Sequence, residues 1–301
     1  IIMRKFWKKG FTLLLGTLLA VSLIGCGSSA DGTGSTAGGS GTANIVNIGV
    51  TGSLVSCNPF VMDMSEMNHY SSGLMFLPLV ELDQNLNFVP MLADSITTED
   101  NLTFTVHIDD AATWSDGTPV TTADVEYTVR RLCSPVVANP YMMYYVFEGV
   151  DDETGFVEEN ADSVAGIRIV DDKTITFTVK SPMSLISFEN GYARYMHILP
   201  KHVIEKFSEA ELTTNEWFSH PDVVSGPYMV TDFDPEHYVS YTANTKYFKG
   251  APKIEKLNFK IVEGSQILAG LKSGEIDVTH PTMSNIPETD YESVEALPNV
   301  T

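Results

Sequence analysis

Cysteine and histidine side chains are considered first, because thiolate and imidazole groups act as nucleophiles and as metal ligands. Cys57 and Cys133 each stand alone, without a second cysteine at metal-binding or redox spacing. Two such thiols can pair in an oxidising compartment, and spacing alone leaves a disulfide open. His197 and His202 flank Pro200, which breaks the helical register that would bring them to one face. We therefore expect no metal site and no cofactor.

Hydrolytic chemistry has little support in the motifs. The chain contains neither a G-x-S-x-G nucleophile elbow nor an H-E-x-x-H zinc motif. Residues 151–159 form an acidic run, but Gly155 is not at the position that an EF-hand calcium loop requires. We therefore interpret the run as a solvated loop. The sequence favours a protein that is not an enzyme.

The N-terminal residues predict an export signal. Residues 4–9 are basic, and residues 11–25 form an apolar stretch too short to span a bilayer comfortably. The stretch ends in Leu-Ile-Gly-Cys, which resembles the lipobox of bacterial lipoproteins, where the cysteine thiol takes a diacylglyceryl group before cleavage. We predict a signal peptide over residues 1–25 and lipidation of Cys26.

Residues 26–43 predict a flexible tether, since they are dominated by Gly, Ser and Thr. A tether of this kind holds a folded domain just off the membrane that carries its lipid anchor. We expect an extracytoplasmic protein, anchored at the outer face of the cell membrane or in the periplasm.

Length and charge narrow the class of protein further. The chain has 301 residues, more than one compact core usually serves, and 43% of them are hydrophobic. Its formal net charge is −21, with 39 acidic and 18 basic side chains. Because such a surface repels phosphates, we expect no nucleic acid partner.

Residues 111–133 contain a high density of turn and cap residues around an exposed-looking Trp114. Asp116 and Gly117 predict a turn, because Asp bonds back to the backbone and Gly tolerates positive φ. Thr121 and Asp124 have the spacing of a helix capping box. The expected buried stripe of the helix consists of Val125, Val129 and Leu132. Each of these residues has a structural role. We therefore predict that the block stabilises the fold and takes no part in catalysis.

Other segments predict strands and helices without regular alternation. Residues 45–50 and 102–108 alternate as strands, and residues 167–179 predict a β-hairpin. Residues 228–262 are rich in β pattern, and a short helix follows that ends at Gly274. The order favours an α/β or α+β fold with interleaved domains.

Seven blocks, in order along the chain, resemble extracellular solute-binding proteins of family 5, the oligopeptide- and dipeptide-binding lipoproteins of ABC importers. The blocks are PLVELDQNLNFVPMLADS, LTFTVHIDDAATWSDGTPVTTADVEYTVRRL, VDDKTITFTVKSP, HILPKHVIEKF, SGPYMVTDFDP, NTKYFKGAPKIEKLNFKIV and LKSGEIDV. The resemblance implies an α/β, two-lobed periplasmic-binding-protein-like fold of type II, in the cluster of large members.

The same resemblance implies a domain plan. Residues 44–79 and 163–278 would form the first lobe, and residues 80–162 an extra domain inserted in it. Residues 279–301 would begin the second lobe, so we expect a truncated sequence that holds the first lobe, the extra domain and the entry to the hinge.

By position, the resemblance places ligand-binding residues in three segments. They are Ser53, Leu54, Val55 and Ser56 after the first strand, Tyr141 in the extra domain, and His280, Pro281 and Thr282 at the hinge. Tyr141 lies in an aromatic cluster, so a packing role stays open for it. The acidic group that holds a peptide's amino terminus would lie in the second lobe.

The resemblance implies a monomeric binding protein that captures di- or oligopeptides and delivers them to an ABC permease. Two alternatives stay open. The same fold in some relatives binds a metal chelate, an opine or an oligosaccharide, and an anchored hydrolase is the candidate from another class.

Overall fold

The computed structural model describes residues 44–54, 56–63, 65–140, 143–159, 161–280 and 282–298. The predicted signal peptide, Cys26 and the tether lie outside these residues. The strands are β1 Ile45–Val50, β2 Val80–Leu82, β3 Phe88–Pro90, β4 Ala93–Thr97, β5 Thr103–Ile108, β6 Ile167–Ile169, β7 Thr174–Thr178, β8 Tyr228–Asp234, β9 Tyr238–Ala243, β10 Lys256–Ile261 and β11 Val278–Thr279. The α-helices are α1 Glu66–Met75, α2 Thr122–Leu132, α3 Leu185–Gly191, α4 Lys201–Ile204, α5 Gly264–Ser273 and α6 Tyr291–Glu295.

A five-stranded mixed sheet has the order β11-β1-β10-β9-β8. β1 pairs in parallel with both β10 and β11, whereas β9 is antiparallel to β10 and β8. The three parallel strands therefore end at the same edge, at Val50, Ile261 and Thr279. In open α/β sheets this edge is where ligands bind.

A second sheet is antiparallel, with the order β4-β5-β7-β6. The predicted hairpin is confirmed as β6 and β7, and the Asp171 carboxylate accepts hydrogen bonds from the backbone N–H groups of Lys173 and Thr174, both at 2.8 Å. The sheet combines strands from both sides of residue 163. The division of the chain into a first lobe and an inserted domain stays a proposal. The strand pairing favours a boundary of the inserted domain after β7 and not at residue 163.

The block at residues 111–133 has the predicted helix and cap. In α2 the Thr121 N–H donates to the Asp124 carboxylate at 2.9 Å, and the other Asp124 oxygen accepts from the Lys201 N–H at 2.9 Å. The stripe of Val125, Val129 and Leu132 is buried, as predicted.

The exposed position expected for Trp114 is wrong, because its side chain has 0% exposure. The Ser115 N–H donates to the Val224 carbonyl at 2.8 Å, and the Val224 N–H donates back to Ser115 Oγ at 3.0 Å. Residues 222–225 are thereby held against the turn. The Ser115 bonds reach a segment more than one hundred positions away, which local sequence cannot indicate.

Candidate functional site

The loop after β1 and the segment after β11 are joined at the edge where the parallel strands end. We call residues 280 and 282–285 the exit segment. The Thr51 N–H donates to the Met283 carbonyl at 2.7 Å, and the Thr51 hydroxyl donates to the same oxygen at 3.1 Å. Ser284 Oγ donates to the Gly49 carbonyl and accepts from the His280 N–H, the latter at 2.8 Å. These bonds fix the course of the exit segment as it leaves the sheet.

An open cavity of about 600 Å³ lies at this junction, and we call it the edge cavity. Its walls come from the loop after β1, the start of α1 and the exit segment. The lining residues are Thr51, Gly52, Ser53, Asp63, Ser65, Glu66, Met67, Thr282, Met283, Ser284 and Asn285. Its size lies within the range of about 300–1,000 Å³ typical of small-ligand sites.

Most of the residues that line the edge cavity are polar or acidic. The Asp63 carboxylate accepts hydrogen bonds from the Ser65 N–H at 2.9 Å and from the Asn68 amide, and these bonds, led by the Ser65 N–H, hold its pKa below the usual value. Glu66 accepts a hydrogen bond from the Thr282 hydroxyl at 3.2 Å. The described lining residues include no Lys or Arg. Such a surface can bind amide and ammonium groups but has no cation for a carboxylate.

A second cavity of about 300 Å³ adjoins the first, since Met283 lines both, and we call it the apolar cavity. It lies between α1, the β2–β3 hairpin and one face of the five-stranded sheet. The lining residues are Ile48, His69, Tyr70, Gly73, Leu74, Pro78, Glu81, Met91, Pro227, Leu257, Phe259, His280 and Met283. Most of these side chains are hydrocarbon or aromatic.

A buried polar network forms part of the wall of the apolar cavity. The Glu81 carboxylate contacts His69 Nε2 at 2.7 Å and Arg194 Nη2 at 2.8 Å. Burial raises the pKa of Glu81, but the hydrogen bond and charge of His69, the Leu82 N–H and the charge of Arg194 outweigh it and hold the pKa below its usual value. Glu81 is therefore a carboxylate whose charge is matched within the network.

His197 is the last member of this network and contacts His69. Its Nδ1 lies 2.9 Å from the Phe76 carbonyl, so this nitrogen carries a proton, and its Nε2 lies 3.2 Å from His69 Nδ1. Burial, together with the nearby His69, lowers the pKa of His197 to about 3, which keeps the ring neutral. The Nε2 of neutral His197 therefore faces His69 Nδ1, and His69 Nε2 lies against the Glu81 carboxylate at 2.7 Å.

The structure brings three of the predicted site residues to the cavities. Ser53 and Thr282 line the edge cavity, and His280 lines the apolar cavity. Leu54 does not line either one, because its side chain is 1% exposed within the hydrophobic core, and this part of the prediction is corrected. Ser56 is half-buried, and its hydroxyl accepts from the Asn58 N–H at 3.0 Å. Val55, Tyr141 and Pro281 lie outside the described residues.

Sequence reasoning missed most of the lining residues. Asp63, Ser65 and Glu66 reach the edge cavity because α1 begins there, with Ser65 as its N-cap at 3.3 Å from the Asn68 N–H. The available signal was the pairing of three parallel strands, whose carboxyl ends mark this edge. No pattern in the sequence indicated the apolar cavity, since its walls come from distant parts of the chain.

The cysteines and other groups supply no further chemistry among the described residues. Cys57 and Cys133 are free and buried, and burial raises the pKa of each thiol to about 12, so neither is a reactive thiolate at neutral pH. The described residues hold no cluster of three or more His, Cys, Asp or Glu side chains placed to bind a metal. None of the helices described is long and apolar enough to cross a membrane.

Comparison with known proteins matches this fold. The oligopeptide-binding protein AppA of Bacillus subtilis is 25% identical over 76% of this chain and 38% of its own length. Its structure with a nonapeptide superposes with a TM-score of 0.69 at 23% identity, over 85% of this chain and 47% of that one. The periplasmic oligopeptide-binding protein OppA of Escherichia coli is 27% identical over 69% of this chain and 38% of its own length.

A second similar structure holds a different solute. NikZ of Campylobacter jejuni, in complex with Ni(L-His), superposes with a TM-score of 0.65 at 21% identity, over 86% of this chain and 46% of that one. The fold is thus the α/β fold of the large periplasmic binding proteins, over the part of those proteins that this chain covers.

The model of the bacterial extracellular solute-binding proteins, family 5 Middle, matches residues 87–300. The chain belongs to this family. It spans less than two fifths of the length of the curated relatives it matches.

Proposed function

We propose that this protein is the substrate-binding lipoprotein of an ABC importer and that it captures di- or oligopeptides outside the cytoplasm. The observation that carries the proposal is the edge cavity, which lies where the parallel strands end in a chain of this family. The named peptide-binding relatives, AppA and OppA, supply the class of ligand.

The proposed mechanism is capture by closure of a hinge, in which no covalent bond is made or broken. Ser53, from the proposed first lobe, and Thr282, at the proposed hinge, both line the edge cavity. An extended peptide offers backbone groups that pair with exposed backbone as an added strand. The closed, monomeric complex then presents the peptide to a membrane permease.

Incubation with a defined mixture of di- to nonapeptides, followed by mass spectrometry of the unbound fraction, tests the proposed ligand. We expect the complete protein to deplete intact peptides from solution, with no new fragments. Fragments of the added peptides would instead support the anchored hydrolase. No depletion, together with a co-purified metal chelate, opine or oligosaccharide in native mass spectrometry, would overturn the peptide ligand.

The proposed anchor is a lipid chain on Cys26, because the lipobox-like stretch and the tether behind it have a common purpose only if the cysteine is acylated. In cells that express the complete gene, we expect Cys26→Ser to move the protein from the membrane fraction to the medium or periplasm. Replacement of Ser28 in the tether by Ala is the matched control and should leave the protein with the membrane. Unchanged fractionation of the Cys26 variant would contradict the anchor.

A further inference from the structure

The apolar cavity has the size and lining of a side-chain pocket beside the edge cavity. Engineered cavities of about 150 Å³ bind benzene. At about 300 Å³, the apolar cavity has room for an aromatic or a large aliphatic side chain. Met283 lines both this cavity and the edge cavity, so the two lie next to each other at one side chain.

The walls of the cavity are complementary to an uncharged, apolar occupant. Leu74, Leu257 and Phe259 supply hydrocarbon and aromatic surface from α1 and β10. The rings of Tyr70 and His280 are 4.7 Å apart at an angle of 52° and form a second, aromatic wall. Burial of a ligand's apolar side chain against these surfaces removes it from water, which is the main source of binding free energy for such groups.

The polar part of the wall has no charge to spare for a ligand. Glu81 is contacted by Arg194 at 2.8 Å and by His69 at 2.7 Å, and the Leu82 N–H adds a third hydrogen bond at 2.7 Å. A lysine side chain in the cavity would compete with these groups for Glu81, and an acidic side chain would face the same carboxylate. Burying either charge without a partner is costly.

We propose that the apolar cavity selects a bulky apolar side chain, aromatic above all, at one position of the bound peptide and rejects charged side chains there. This inference rests on the proposed function, because it assigns a preference to the peptide that the edge cavity holds. Met283 lines both cavities and His280 lines the apolar one, which places the selecting pocket at the exit segment.

Binding of tripeptides to the complete protein, freed of endogenous ligand, tests the pocket. The probes have Ala at two positions and Ala, Phe, Lys or Glu at the third, with the varied position moved along the peptide. At one position we expect Phe to bind at least about tenfold more tightly than Ala, and Lys and Glu no more tightly than Ala. No such preference at any position would overturn the inference.

Met91→Trp fills the cavity from its half-buried rim, and we expect it to reduce the ratio of Phe to Ala affinity to within about twofold. Ile186→Trp is the matched control, because Ile186 is 68% exposed on α3 and lies away from both cavities. Leu74→Ala is the second variant, and by enlarging the cavity it should favour Trp over Phe by at least about threefold.

The outcomes separate this inference from the proposed function. If alanine tripeptides bind but neither cavity variant changes the preference, the pocket assignment is wrong and the peptide-binding function stands. If no tripeptide or longer peptide binds, both are wrong.

Discussion

Two loop regions of this molecule contain similar residue types but have different roles. The block at residues 111–133 and the exit segment both contain Ser and Thr, and each is tied to a distant strand or loop by backbone hydrogen bonds. In the block the large side chain, Trp114, has 0% exposure. In the exit segment Thr282 and Ser284 line an open cavity. A high density of turn residues therefore marks a fold-defining structure, and position at the edge of the parallel strands marks the site.

Trp114→Ala should have the largest effect, because it empties a fully buried site in the block. We expect a loss of about 3–5 kcal/mol in the free energy of unfolding, measured by urea denaturation. Trp217→Ala, at a half-buried indole, is the control and should cost less. A stability change below that of the control would mean that the block is not a structural centre.

Gly264→Ala tests the packing of the exit segment against the start of α5. A Cβ at Gly264, the first residue of α5, would overlap the Asn285 carbonyl oxygen, so the exit segment must shift. We expect a loss of about 1–3 kcal/mol in stability and a weaker affinity for peptides in the complete protein.

Gly191→Ala is its matched control, since a Cβ there meets no atom within 4 Å. The control should retain both stability and affinity. Equal affinity in the Gly264 variant would show that the path of the exit segment does not matter for binding.

The pH dependence of stability tests the network beside the exit segment. His197 has an ordinary pKa of 6.5 in the unfolded chain and, through burial and the nearby His69, a pKa of about 3 in the fold. Between these values the unfolded state binds the extra proton, so stability is present above pH 6.5 and is lost as the pH falls toward 3. One such group contributes a slope of up to about 1.4 kcal/mol per pH unit.

His197→Asn keeps a side-chain donor for the Phe76 carbonyl but cannot titrate. We expect urea midpoints at pH 7 and pH 5 to differ less in this variant than in the natural protein. The same pH dependence in both proteins would contradict a neutral, buried His197.

Asp116→Ala should have the smallest effect on stability. It also separates stability from binding most clearly. Its carboxylate accepts from the Thr118 N–H and contacts His202 Nε2, both at 2.9 Å. We expect a loss of about 1 kcal/mol, seen as a lower melting temperature, with peptide affinity in the complete protein unchanged. Asp110→Ala, on the exposed surface before the block, should change neither. A tenfold loss of affinity with stability intact would place the block in the site.

The elements that depend on neighbours in sequence could be predicted, whereas the cavities could not. The α2 capping box and the β6–β7 hairpin follow from residues within a few positions of each other. The apolar cavity requires Glu81 and Arg194 to meet across more than one hundred residues. The family resemblance led to Ser53 and Thr282, which line the edge cavity, and to Leu54, whose side chain lies in the core. A loop position does not reveal which side chains turn into the core.

Hydrogen–deuterium exchange of the complete protein, with and without a saturating peptide, compares the two regions in one measurement. We expect the bound peptide to slow exchange in the loop after β1, at the start of α1 and in the exit segment, because these line the edge cavity. Residues 111–133 should exchange at the same rate in both states. Protection of residues 111–133, with the edge of the parallel strands unchanged, would contradict the assignment of the site.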